Sequence, residues 1–341
     1  RHSTDSAARL ICMMGSMSQP AATMSSSALE ARQRLPIARL APLVLLLVSV
    51  WTSGCTVTQK PVSGRKQEAM KNRVEVIPFT LTDSNNISIA AVLNDGEPVQ
   101  LMLHTAVNSV SLTREAGERL TSVTFDESGT SQSWGGEAAI GVSRGNTLRI
   151  GGRTWTDLLL TECEHSGPLT DGKFGCNLFA DRVMEIDFEE CELRLHSELP
   201  SHVLEDPDFH CLEARLDRGS MFVEGAFEIG GKSYKHEFMV HTGFGGSILM
   251  DDAFVAEHGF TACFQNGSTR DLRDSNGNVL TTQMATLSSF GFGNAALAKV
   301  PAELFGGAIA GQKVSIVGAQ VLKQFDIFIA TRAKRLYLRR R

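Results

Sequence analysis

The sequence predicts an all-β protein with few short helices, built as two copies of one unit. Three observations carry this. From residue 74 onward, short β-rich runs alternate with Gly and Asn turns. Two stretches, "LMLHTAVNSVSLT" (Leu101 to Thr113) and "FMVHTGFGGSILM" (Phe238 to Met250), each end an apolar strand on a His-Thr-small triplet. Two later stretches, "FGCNLFADRVMEIDFEECELRLH" from Phe174 and "VGAQVLKQFDIFIATRAKRLYLR" from Val317, align without a gap. Ile186, Leu193 and Leu195 lie 11, 18 and 20 residues after Gly175, and Ile329, Leu336 and Leu338 lie at the same offsets after Gly318. His104 precedes Gly175 by 71 residues and His241 precedes Gly318 by 77, so the order of parts repeats as well.

The elements follow in order. Residues 1–23 read as an over-extended start ahead of Met24. Residues 24–55 read as a signal peptide: Arg32, Arg34 and Arg39, then "LAPLVLLLVSVW", then "TSGC". The apolar run is short for a transmembrane helix. "TSGC" resembles a bacterial lipobox, with Thr52 where Leu is usual, so Cys55 is expected to carry lipid. The expected location is then the bacterial cell envelope, with the membrane touched only through that lipid. An ordinary cleaved signal would give a secreted protein instead. Residues 56–73 are polar and patternless, as in a flexible tether.

The first half spans 74–199. "SIAAVLNDGEPVQLMLH" reads as a hairpin turning at Asn94-Asp95-Gly96 and ending at His104-Thr105-Ala106. A short apolar strand and a helical turn, "REAGERL", follow. "SQSWGGEAAIG" reads as a second hairpin, with Trp134 beside a mobile Gly135-Gly136 tip. A linker at 200–208 leads to the second half, 209–341. There "MFVEGAFEIGGKSYKHEFMVH" turns at Gly230-Gly231 and ends at His241-Thr242-Gly243, ahead of the helical turn "DDAFVAEHG". Phe290-Gly291-Phe292-Gly293 reads as a hairpin turn; no Lys-Ser/Thr follows to make a phosphate loop.

Composition narrows the function. A net charge of -5 without basic clusters gives no footprint for nucleic acid. The C-terminal arginines read as a solvated end around core Leu336 and Leu338. Cys163, Cys176, Cys191, Cys211 and Cys263 are odd in number and lack CxxC spacing, which argues against a zinc ribbon. They read mainly as small buried residues, with room for one bridge.

An apolar strand, a triplet, about seventy residues and then apolar-Gly before a closing hairpin: this resembles the retropepsin-like aspartic peptidases, here as two lobes in tandem. The resemblance covers nearly all of 74–341 and implies a bilobal, pepsin-like double β-barrel. It implies that the triplet loops meet at a pseudo-twofold axis, with Thr105 and Thr242 crossing to the opposite loop. It implies close packing of Gly175 and Gly318 beneath those loops. It also implies a glycine at the third triplet position, which Gly243 keeps and Ala106 does not. The Trp134 hairpin matches a flap over the cleft, and Asp187 and Asp326 match structural positions beside the closing hairpins.

The family carries Asp at the first triplet position of both lobes; this sequence carries His104 and His241. A carboxylate dyad is anionic and shares a proton, whereas paired imidazoles are neutral or cationic, and repulsion and burial both favour the neutral forms. Ordinary aspartic peptidase activity is therefore not expected, and the expected partner is an extended polypeptide bound in the cleft without cleavage. Two other readings stay open. In one, the rings only hold the lobes in register. Alternatively, they form an active hydrolytic pair, with Zn²⁺ or Cu²⁺ if a third ligand joins. His236 should point to the opposite strand face, and no spacing requires His165 to approach.

Overall fold

The computed structural model describes residues 74–265, 267–307 and 313–341. The start at 1–23, the signal and Cys55, and the tether at 56–73 lie outside the described residues. What is described is mostly β, with a closed six-stranded barrel.

The barrel follows from pairings within the first half. Ile87–Leu93 pairs antiparallel with Glu97–Leu103, which runs parallel to Gly172–Phe174. Gly172–Phe174 pairs antiparallel with Val110–Thr113, which runs parallel to Arg153–Cys163. Arg153–Cys163 pairs with Gly136–Ile150, which returns to Ile87–Leu93 and closes the ring. Ring closure leaves no long edge within the cycle. Glu127–Ser133 continues outward from Gly136–Ile150 as a projecting hairpin.

The same cycle of pairings recurs in the second half. It runs Ser220–Ile229, Lys232–His241, Ser315–Gly318, Ile248–Leu249, Ala295–Leu304 and Val279–Phe292, and returns to Ser220–Ile229. Thr269–Arg273 continues outward from Val279–Phe292. Alternation sets the inward face: Val223, Phe227 and Ile229 are buried while Glu224 and Glu228 are exposed. Gly230 and Gly231 both have positive φ, as the tight turn of this hairpin requires.

Six strands join the halves, in the order Glu75–Pro78, Glu192–His196, Val183–Asp187, Phe325–Ala330, Arg335–Arg340 and His210–Asp217. At the centre, Met184 faces Ile329 and Ile186 faces Ile327. Leu193, Leu195, Leu336 and Leu338, matched by the gap-free repeat, are all buried here. The matched apolar columns are therefore one shared layer of core.

Both expected helical turns are present. Arg114–Arg119 is capped by Thr113, whose hydroxyl accepts from the Ala116 amide, and Asp252–Glu257 by Asp251, whose carboxylate accepts from Ala253. Ser201–Glu205, Ala262–Gln265 and Ala319–Leu322 add helices that the sequence did not signal. Each spans about one turn, too short for an apolar period to register. Phe290-Gly291-Phe292 is a correction: these residues lie within a strand, both phenylalanines are in the core, and only Gly293 enters the turn. The five cysteines of the described residues are free thiols; Cys163 and Cys176 are buried, Cys191 is half-buried, and Cys211 and Cys263 are exposed.

Candidate functional site

His104 directly follows the strand Glu97–Leu103, and His241 ends Lys232–His241. Each strand pairs in parallel with a short strand, Gly172–Phe174 leading into Gly175 and Ser315–Gly318 ending on Gly318. The two imidazoles face each other with ring centroids 4.4 Å apart and planes at 53°. Each residue is only 8% exposed.

Two threonines lock the loops together. The Thr105 amide donates to Thr242 Oγ1 at 3.1 Å, and the Thr242 amide donates to Thr105 Oγ1 at 3.0 Å. The Thr105 hydroxyl donates to the Val240 carbonyl and the Thr242 hydroxyl to the Leu103 carbonyl, both at 2.6 Å. Each hydroxyl therefore satisfies one donor and one acceptor of the opposite half in a buried setting, where leaving them unpaired would be costly.

Crowding explains the glycines. A Cβ at Gly175 would overlap the Val107 carbonyl, and one at Gly318 would overlap the Gly246 carbonyl. A Cβ at Gly243 would overlap the His104 ring. Ala106, half-buried, occupies the corresponding place in the first loop, and its carbonyl accepts from Ser220 Oγ at 3.3 Å. From the other side, Asn86 Nδ2 donates to the Gly243 carbonyl at 3.3 Å.

Electrostatics keep the pair neutral. Burial pushes both imidazoles down, His241 to about 4 and His104 well below its ordinary value. His241 adds to the effect on His104, and Lys173 lowers both. Neither His104 Nδ1 nor His241 Nδ1 has a hydrogen-bond partner among the described residues.

The rings line a cavity of about 520 Å³, with Met102, Trp134, Met239, Phe244 and Leu272 among its apolar walls. Two hairpins roof it. The Gly135 amide donates to Asp274 Oδ2 at 2.7 Å, and Asn276 Nδ2 donates to the Gly136 carbonyl at 3.0 Å. The Ser275 amide donates to Ser133 Oγ at 3.3 Å. The Gly135-Gly136 tip, expected to be mobile, is hydrogen-bonded in this structure to the Asp274–Asn278 turn. Trp134 packs inward against Phe305 and Phe244, at centroid distances of 5.5 and 6.2 Å.

Lys173 and Asp274 are functional candidates that sequence reasoning missed. Lys173 is 4% exposed, lines the cavity and bonds Ser275 Oγ. Its signal was present in the repeat: "DGKFG" sets a lysine where "VSIVG" has Ile316. His165 also lines the cavity, by way of its backbone bond to Ser275 at 3.2 Å. His236 stacks on Phe254 at 3.9 Å, away from the pair. Asp187 and Asp326 bond Arg194 and Arg339 outside the cavity. Among the described residues, no three His, Cys, Asp or Glu side chains are grouped to hold a metal ion.

No family model matches this chain, and comparison with curated proteins gives no match.

Proposed function

We propose that the chain is a bilobal, pepsin-like double β-barrel of two retropepsin-like lobes that holds an extended polypeptide between them without cutting it. One observation carries this: two facing, buried imidazoles, locked by the Thr105–Thr242 exchange, stand beneath a roofed cavity where the resembled family has its carboxylates. Peptide hydrolysis by a carboxylate dyad needs one group to take a proton from water and another to polarise the carbonyl. A neutral imidazole pair is bulkier, aims its nitrogens differently and brings no negative charge. Misplacing the attacking water costs orders of magnitude in rate. The roof hairpins still offer backbone and apolar walls to an extended chain.

The test uses the intact protein and an unfolded, carboxymethylated substrate protein. Saturable binding by calorimetry with no cleavage at acid pH is the expected result. Cleavage that a pepstatin-like inhibitor stops would overturn the proposal. The triple variant His104→Asp, Ala106→Gly, His241→Asp is expected to recover some cleavage if only the dyad was lost.

A further inference from the structure

Lys173 is out of place in its own architecture. Met102 faces Lys173 across the parallel pair in the first half, and Met239 faces Ile316 at the same register in the second. The position accepts an aliphatic side chain, yet here it holds a buried lysine, whose ammonium form burial disfavours. Burying a charge without full compensation is expensive. Among the described residues, the hydrogen bond of Lys173 Nζ is to Ser275 Oγ, whereas an ammonium carries three donors. The buried Cys163 thiol and then Asp274 act on Lys173 through their fields, and Asp274 is engaged elsewhere. Its Oδ1 accepts from the Asn276 and Asn278 amides at 2.9 and 2.8 Å. Its Oδ2 accepts from Gly135 N and Asn278 Nδ2 at 2.7 and 3.1 Å.

The remaining charged groups around the cavity do not neutralise it. Arg270 is paired with Glu303 at 2.9 Å, Asp271 accepts from Thr281 at 2.7 Å, and Arg273 and His165 add basic groups. On the floor, His104 Nδ1 and His241 Nδ1 are buried and unpartnered. Spare donors on Lys173 and the two imidazole rings thus border one space with apolar walls.

A metal cation would sit beside an ammonium, which is unfavourable. A peptide amide supplies a single acceptor and no charge. A carboxylate supplies two acceptor oxygens and the missing negative charge. We propose that this cavity, in the ligand-holding role described above, takes the carboxylate of an organic acid with an apolar body. Lys173 is its counter-charge, the His104 and His241 rings are its floor, and Trp134, Phe244 and Met239 hold the body. A short peptide's C-terminus and a small carboxylic acid share this chemistry.

Calorimetry on the intact protein tests it with matched probes: an N-acetylated apolar tripeptide acid and its C-terminal amide, and hexanoate and hexanamide. The acids are expected to bind at least about tenfold tighter than the amides, the worth of one charge-assisted bond. Lys173→Met should erase that preference. A tighter tripeptide acid points to a peptide terminus, and a tighter hexanoate to a small acid. Equal affinity of acid and amide in the unaltered protein overturns the proposal without needing a variant, as does failure of every acid to bind. A preference that survives Lys173→Met overturns it too. If the unfolded polypeptide binds while no acid does, this proposal alone falls; if the acids bind and the polypeptide does not, the polypeptide role falls instead.

Discussion

At the scale of single residues, the two triplets are near copies with one asymmetry that geometry explains. The His104 ring leans over the second loop, so the space above Gly243 is filled by imidazole. Ala106 accommodates its methyl group in the first loop. The sequence showed that one glycine was kept and one lost, but it carried no information on which ring leans. That depends on ring orientation across two distant chain segments. Gly243→Ala should destabilise the protein by about 1–3 kcal/mol, the usual cost of overpacking a tight site. Ala106→Gly should change stability by about 1 kcal/mol or less. Thermal unfolding of both variants measures the difference; equal shifts would contradict the leaning ring.

At the scale of elements, hairpins and their turns were legible because Gly and Asn mark them locally. How hairpin tips meet was not, because that contact links residues about 140 positions apart. "SQSWGGEAAIG" announced a tip with two glycines, and the structure fastens it to the Asp274–Asn278 turn. Asp274 is the fastener. Burial alone would raise its carboxyl, but bonds from Gly135, Asn278 and Asn276 outweigh that and hold it below the usual range. Lys173 illustrates the same limit: its place in an apolar column went unread in the repeat, and only the fold shows what surrounds it. Asp274→Ala removes the acceptor for Gly135, so amide exchange over residues 131–136 should accelerate at least about tenfold, equivalent to about 1.4 kcal/mol of local opening. Exchange in the Arg335–Arg340 strand should not change. Unaltered protection at Gly135 would show that the roof is held by Trp134 packing instead.

At the scale of the whole molecule, the sequence made the architecture readable because the same apolar offsets occur twice and meet in one buried layer, Leu193 and Leu195 with Leu336 and Leu338. The ion-free floor of the site was less readable, since neutrality comes from burial that only assembled halves create. That burial couples folding to pH. In the unfolded chain both imidazoles titrate near 6.5; in the folded protein His241 titrates at about 4 and His104 well below its ordinary value. Between those limits the unfolded state binds more protons, so stability falls as pH falls. The contribution is whole above about pH 6.5 and lost as acid approaches about pH 4, a loss on the order of 3 kcal/mol for His241 alone. Other groups titrate in the same region: burial pushes Glu303 up, which works in the opposite sense. The informative quantity is therefore the difference between the unaltered protein and a His104→Asn, His241→Asn double variant. Denaturant unfolding across this range should show the unaltered protein losing stability more steeply than the variant. Parallel profiles would mean that the imidazoles are not neutral partners in a closed floor, and the facing-pair geometry would have to be given up.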